Sequence, residues 1–293
     1  MSAELLSRFD DEALRTFLDP GDVGMDPATL GTALADSDAG LQDRARAALP
    51  PGARNAFDAA LRDQPDSRAV REAQRQVVER LFWPLLYWNH PQEYAELTDG
   101  ETIPGMLLHR LPLDGAVVCD IGAGDGRCTL QLAARADRVI AVDAVPAMLL
   151  RLEARARSAR VRTIETRRGS FAALPLDDGC VDVAVACSSF TEHRPLGGVR
   201  ALEEAERIVC PGGLVAVIWP QRTEWLTDRG YTLVMCNADD VRHFRDESCA
   251  LSLCESFYGP EAARWVREHR SADVPYAVLG VAPPNSMCVF SKP

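Results

Sequence analysis

Along the second half of the chain, short apolar runs alternate with stretches in which apolar residues recur every three or four positions. Residues 116–119, 139–143, 181–187 and 214–219 are nearly continuous apolar runs, the signature of strands buried on both faces. Residues 161–166 alternate between apolar and polar as a further strand would, and residues 231–236 and 287–290 add two more. Between them, residues 127–135, the stretch after Pro146 through Met148, Leu149 and Leu152, and residues 202–209 and 224–230 carry helical spacing. Strand and helix in strict alternation predict an α/β fold, doubly wound, with a mostly parallel seven-stranded sheet covered on both faces.

The first 80 residues lack such runs. They break into short helical patterns punctuated by Pro20-Gly21, Pro50-Pro51-Gly52 and Pro65, and from Val70 the residues Ala73, Val77, Val78, Leu81 and Phe82 share one helical face. This predicts a helical N-terminal unit over 1–80 and a second domain over 81–293. Residues 101–110 predict a helix leading into the first strand. Residues 237–284 exceed what a hairpin between the last two strands requires and predict a helical insertion, a candidate lid or interface. Residues 82–94 gather Phe82, Trp83, Tyr87, Trp88 and Tyr94 in a chain only 6% aromatic, and so serve either to dock the helical unit or to wall a pocket.

The first predicted strand runs into Asp120-Ile-Gly122-Ala-Gly124-Asp125-Gly126, just before a helix. Glycines there let the backbone turn sharply and let a ligand approach the main chain. A dinucleotide fold asks for Gly-x-Gly-x-x-Gly. This spacing is Gly-x-Gly-x-Gly, and a carboxylate two places before the first glycine suits a ligand amino group better than a phosphate.

That combination resembles the first motif of the class I methyltransferases, which bind S-adenosylmethionine (SAM) on a Rossmann-like sheet. The resemblance spans roughly residues 85–236 and the final strand. Asp143, closing the second strand, matches the family's ribose-binding acid, whose two oxygens accept from a vicinal diol. The stretch Arg168-Gly-Ser170-Phe171-Ala-Ala-Leu-Pro-Leu-Asp-Asp-Gly-Cys-Val-Asp-Val and the later Pro211-Gly-Gly match further landmarks in order. The family's usual Asp in the third motif is Ser170 here, so the resemblance implies an adenine contact through Ser170 and Phe171. Taken together it implies a SAM site formed by Asp120, Gly122, Gly124, Asp125, Asp143, Ala144, Ser170, Phe171 and Cys187.

Transfer from a sulfonium needs placement more than activation. No metal is called for, and a base only where the nucleophile is protonated. The acceptor is expected near the end of the fourth strand, which makes His193 and Glu192 the leading base candidates and His90 and Tyr94 their rivals. The net charge of -11 argues against nucleic acid as partner, and no apolar run is long enough to span a bilayer. Nine cysteines without a Cys-x-x-Cys pair, and an N-terminus without signal-peptide features, suggest a reducing cytoplasmic setting. The expectation is a methyltransferase acting on a small-molecule acceptor, with homodimerisation left open. The alternatives are another SAM chemistry, such as cyclisation on the sulfonium, and a SAM-binding assembly protein.

Overall fold

The computed structural model describes residues 3–18, 25–189, 191–192, 197–237 and 240–293. The chain divides into two compact units, one up to Tyr94 and the other from Ala95 onward.

In the first unit, helices Asp11–Phe17, Pro27–Ala33, Ala39–Ala48 and Ser67–Arg80 each begin on an aspartate, Asp10, Asp26, Asp38 and Asp66, whose side chain accepts from a first-turn amide. Capping of this kind contributes about 1 kcal/mol per helix, which matters because helices this short do not hold alone in water. Their apolar faces converge on Phe9, Leu14, Leu30, Phe57 and Val77. The pattern from Val70 is realised, with Val70, Ala73 and Val77 buried on one face of Ser67–Arg80. The aromatic stretch forms helix Phe82–Asn89 and the start of Pro91–Thr98.

The second unit holds the sheet. Strands β1 (Val117–Ile121), β2 (Arg138–Asp143), β3 (Ile164–Arg168), β4 (Val181–Cys187), β5 (Val209–Ile218), β6 (Thr232–Met235) and β9 (Ser286–Ser291) lie in the order β3-β2-β1-β4-β5-β9-β6. All pairs are parallel except those of β9, which runs antiparallel to both β5 and β6. The chain winds outward from β1 through β2 to β3, then returns to the other side of β1 as β4. The carboxyl ends of β1 and β4 therefore border the topological switch point, where open α/β sheets place their ligands. Helices Arg127–Leu132, Pro146–Ser158 and Gly198–Ile208 cover the faces.

Four local expectations change. The third strand starts three residues later than its alternation suggests, at Ile164. Pro211-Gly212-Gly213 is not a turn before β5 but a bulge inside it, where the register with β4 slips between Val181 and Val183. A Cβ on Gly213 would lie 2.5 Å from the Asp182 carbonyl, so only glycine permits that approach. The helix expected over 101–110 shrinks to Gly105–Leu108, because Pro104 holds its neighbour extended. Glu101 is thereby freed from a helix surface. Finally, the insertion is not wholly helical: β7 (Val241–His243) and β8 (Asp273–Pro275) pair as an antiparallel ribbon. Between them stand helices Glu247–Leu253 and Pro260–His269, joined by a π-turn at Cys254–Tyr258.

Candidate functional site

At the carboxyl end of β1 the chain enters the glycine turn with φ of +73° at Gly122, +55° at Gly124 and +96° at Gly126, a region that side chains with a Cβ disfavour. A Cβ on Gly122 would lie 2.5 Å from Ser189 Cβ and 3.0 Å from the Phe171 ring. Phe171 and Ser189 therefore close directly on the turn, and Ser189 Oγ donates to the Ile121 carbonyl at 2.8 Å.

The turn's own amides are largely spent inside the protein. Those of Gly122 and Ala123 donate to the Val142 carbonyl at 2.8 and 3.0 Å, that of Gly126 to Ala123, and that of Gly124 to Asp143 Oδ2 at 2.8 Å. Asp143 Oδ1 accepts from the Val145 amide at 2.8 Å. Asp143 thus ties the glycine turn to the end of β2, with one oxygen on each segment. Packing pushes its pKa up, against the pull of the amides of Val145, Gly124 and Ala144. Two carboxylate oxygens offer about four acceptor positions, so these three amides leave capacity over.

Asp120 is wholly buried. Its Oδ2 accepts from Thr129 Oγ1 at 2.6 Å, while its Oδ1 has no hydrogen-bond partner among the described residues. Burial raises its pKa to about 6, the Asp143 charge adds to the rise, and Thr129 and Arg127 oppose it. Leaving a buried acceptor unmet costs about 1–3 kcal/mol, so this oxygen calls for a donor.

Asp125, expected at the cofactor, is buried, and its Oδ2 accepts from Arg155 on helix Pro146–Ser158 at 2.7 Å. Ala144 is exposed, and Ser170 pairs with Ala173 in an isolated bridge beside Phe171. Glu192 accepts from Arg222 at 3.2 Å. His90 lies 3.1 Å from Glu93, and the Tyr94 ring meets Tyr87 edge-on at 4.7 Å; both belong to the first unit. His193 lies outside the described residues.

At the ends of β4 and β5 stands a set of side chains that sequence patterning does not single out. Glu101, freed from its expected helix, accepts from two arginines: Arg127, in the first turn after the glycines, and Arg242 of β7 at 2.7 Å. Both Glu101 and Arg242 are almost fully buried. Arg242 also donates to Tyr258 and to the Leu97 carbonyl, and its guanidinium lies 4.6 Å from the Phe244 ring. Arg127 faces Trp219 at 5.9 Å and stands 3.9 Å from Cys187 Sγ. Ser188 and Trp219, just past β4 and β5, have φ of +51° and +53°, strain of a kind that collects at functional sites. One signal did exist in the sequence: Arg127 directly follows the last glycine. Arg127 and Arg242 lie 26 and 141 residues from Glu101 along the chain, and the three share no motif.

A cavity of about 350 Å³ opens beside this triad, lined by Thr102, Met106, Asn237, Val241, Arg242 and Tyr276 among others. Among the described residues, no helix is long and apolar enough to cross a membrane.

Known proteins match these features. A family model described as a methyltransferase domain covers residues 118–213. Two proteins described as uncharacterized methyltransferases, from Mycobacterium tuberculosis and Mycobacterium bovis, are each 30% identical to the chain over 184 residues, 62% of this chain and 69% of theirs. A methyltransferase-like protein of Schizosaccharomyces pombe is 28% identical over 110 residues, 37% of this chain and 40% of its own. Among solved structures, a SAM-dependent methyltransferase from Aquifex aeolicus aligns at 22% identity over 49% of this chain and 85% of that one, with a TM-score of 0.38. The relatives, the glycine turn and the seven-stranded order with its antiparallel β9 lead to one conclusion: the chain belongs to the class I SAM-dependent methyltransferases and is an enzyme of that family.

Proposed function

We propose that this enzyme holds SAM between the carboxyl ends of β1 and β2 and transfers its methyl group to a small-molecule acceptor beyond β4 and β5. The observation that carries the cofactor reading is the balance of donors and acceptors at the turn. Its amides are committed to Val142, Ala123 and Asp143, so it has little to offer a phosphate. What remains are acceptors, namely the acceptor capacity left on Asp143 and the unmet Oδ1 of Asp120. A ligand bearing a vicinal diol and an ammonium group fits that set. Asp143 then holds the ribose, Asp120 the methionyl ammonium, and Ser170 with Phe171 the adenine edge and face.

SAM supplies an electrophilic methyl group whose leaving group is a neutral thioether. The protein's share is alignment: bringing the acceptor atom to about 3 Å in line with the carbon–sulfur bond makes the displacement effectively unimolecular. Trp219, Ile218 and Cys187 wall the acceptor side. Glu192 and His193 are the proposed proton acceptors for a hydroxyl or ammonium nucleophile. The acidic net charge and a cavity of small-ligand size favour a metabolite over a nucleic acid, and nine free cysteines suit a reducing compartment.

The test is a calorimetric titration of the purified protein with SAM and with its demethylated product, S-adenosylhomocysteine (SAH). Binding of either is expected, and binding of neither would end the proposal. Mass spectrometry of products then separates the chemistries: methyl transfer makes the acceptor one methylene heavier, whereas cyclisation on the sulfonium leaves no heavier acceptor.

A further inference from the structure

The cavity beside Glu101 measures about 350 Å³, within the range of small-molecule sites, and its lining combines two chemistries. Pro104, Met106 and Val241 are apolar, whereas Thr102, Asn237 and Tyr276 bring polar atoms. Met106 is 58% exposed, a large apolar side chain that a ligand would cover. Tyr276, the first residue after β8, carries a donor that the fold leaves uncommitted. Its backbone amide donates to the Asp240 carbonyl at 2.8 Å, but its hydroxyl has no hydrogen-bond partner among the described residues. The residue is only 6% exposed, and the exposed part includes that hydroxyl. By contrast Tyr231 commits its hydroxyl to Glu206 at 3.1 Å, and Tyr258 commits its own to Arg242. Burial, and after it the Glu101 charge, pushes the Tyr276 pKa up, so at neutral pH the hydroxyl keeps its proton and can donate it to a hydrogen bond.

The charge around this hydroxyl is positive, although the chain as a whole carries -11. Two guanidiniums, those of Arg127 and Arg242, face the single carboxylate of Glu101, which leaves one positive charge in excess. Arg242 Nε, itself buried, finds no acceptor among the described residues. His243 and Asp273 pair at 2.8 Å nearby, but both side chains are more than half exposed, so water and salt screen them far more than they screen the buried triad. The cavity also adjoins the acceptor side of the sheet. It shares Glu101, Thr102 and Pro284 with the small cavity lined by Cys187, Ile218 and Trp219, and the Tyr276 ring meets Trp219 edge-on at 6.5 Å.

We propose that this cavity holds the methyl acceptor as a small carboxylic acid with an apolar body, its carboxylate accepting a hydrogen bond from the Tyr276 hydroxyl. The donors of the Glu101 triad are committed to one another and to their neighbours, so the triad contributes its excess charge, which favours an anion over a neutral or cationic ligand. Met106 and Val241 cover the apolar part. Tyr276 is thus a specificity-determining residue: it reads the one feature that separates an acid from an amide or an amine of the same shape. The role of the bound acid as methyl acceptor rests on the SAM reading above; the carboxylate site does not.

The experiment is a calorimetric titration of the full-length protein, alone and saturated with SAH. The probes are straight-chain acids from butyrate to decanoate, with benzoate, phenylacetate and cinnamate, each beside its uncharged amide. The best-bound acid is expected to bind at least about tenfold more tightly than its amide, and as tightly with SAH present as without it. Tyr276→Phe keeps the ring against Trp219 and removes the donor, so it should narrow that gap to less than about threefold. Met106→Glu, at an exposed position, should weaken acids by about threefold and leave amides unchanged. Methyl-labelled SAM, incubated with a metabolite extract first split on an anion exchanger, should pass its label to the retained acids. Amides that bind as tightly as acids, no acid bound at millimolar concentration, or a gap that persists in Tyr276→Phe would overturn the carboxylate site. Acids that compete with SAH would overturn it too, by placing them at the β1–β2 end. Label that reaches only the unretained pool, or neither pool, in protein that binds SAH would overturn the acceptor role. Acids that bind in the expected pattern to protein that takes up no SAH would sink the SAM reading and leave the carboxylate site standing.

Discussion

The β1–β2 end of the sheet and the β4–β5 end both keep charges out of water, by opposite means. At β1–β2 the carboxylates of Asp120 and Asp143 are held by main-chain amides and one hydroxyl, from partners within 19 residues of each. At β4–β5, Glu101 is held by Arg127 and Arg242, which come from the helix after the glycines and from the insertion. The first arrangement is built into a local turn and leaves acceptor capacity over, as a binding site needs. The second consumes its charges against one another and ties distant segments together. It serves to shape the unit more than to hold a ligand.

The hardest test of that contrast is Arg242→Met. Removing one partner of a buried ion pair costs about 3–5 kcal/mol, since Glu101, Tyr258 and the Leu97 carbonyl all lose a donor. For a unit of this size each kcal/mol moves the midpoint by about 2–4 °C. Differential scanning calorimetry should therefore show the melting temperature falling by on the order of 10 °C. SAH affinity measured well below that transition should change little. A loss below about 1 kcal/mol would mean that the triad is not what fastens the insertion.

Next is Asp143→Ala, which belongs to the other end. It removes two charge-assisted bonds proposed for the ribose and leaves the Gly124 and Val145 amides unmet. Hydrogen bonds to charged groups contribute about 1.5–3 kcal/mol, so SAH affinity should weaken by about 10- to 150-fold in a calorimetric titration. If stability drops while affinity holds, Asp143 serves only to pin the turn.

These two substitutions also mark what the sequence discloses. Asp143 is legible because its partners follow a fixed spacing from a strand end, and the strand-by-strand alternation predicts the sheet for the same reason: its signals are local. Arg242 lies in a stretch with no periodicity, and its value depends on Glu101, which helical patterning had placed on a helix that Pro104 in fact cuts short. The ribbon of β7 and β8 is invisible for a similar cause, since three-residue strands leave no alternation to read. Asp125 sits between glycines, a place that suggests a ligand contact, while its ion pair with Arg155, 30 residues on, follows no motif.

An effect of similar size and opposite sense is expected from Asp120→Asn. Burial raises the Asp120 pKa to about 6 in the folded enzyme, against about 3.9 unfolded. The carboxyl is therefore neutral in both states below pH ~4, and its share of stability is lost as pH rises through 6, because the unfolded chain ionises it more easily. Relative to Asp120→Asn, the wild type should lose on the order of 2–3 kcal/mol between pH 4 and pH 7.5. Thermal melts of both proteins across that range read this difference directly, whatever constant offset the buried amide adds. Parallel curves would show that Asp120 is not held in the way its burial implies. An ammonium ligand reverses the balance by favouring the carboxylate, so SAM affinity of the wild type should rise as pH climbs through 6.

The smallest effect is expected from Arg155→Met. Its ion pair with Asp125 also reaches the Asp125 carbonyl, at 3.2 Å, and so spans from helix Pro146–Ser158 to the turn. The Arg155 side chain is 42% exposed, which screens its charge, but the Asp125 side chain is only 4% exposed, so losing the pair leaves a buried acceptor short of a donor. Gly126 already fixes that part of the turn by close packing on Leu152, which a Cβ would meet at 2.8 Å. Stability should therefore fall by about 1–2 kcal/mol, and SAH affinity should shift by less than about threefold, roughly 0.6 kcal/mol. A tenfold loss of affinity would place the alignment of the β1–β2 site in this one side chain, and would make that end as dependent on a single ion pair as the other.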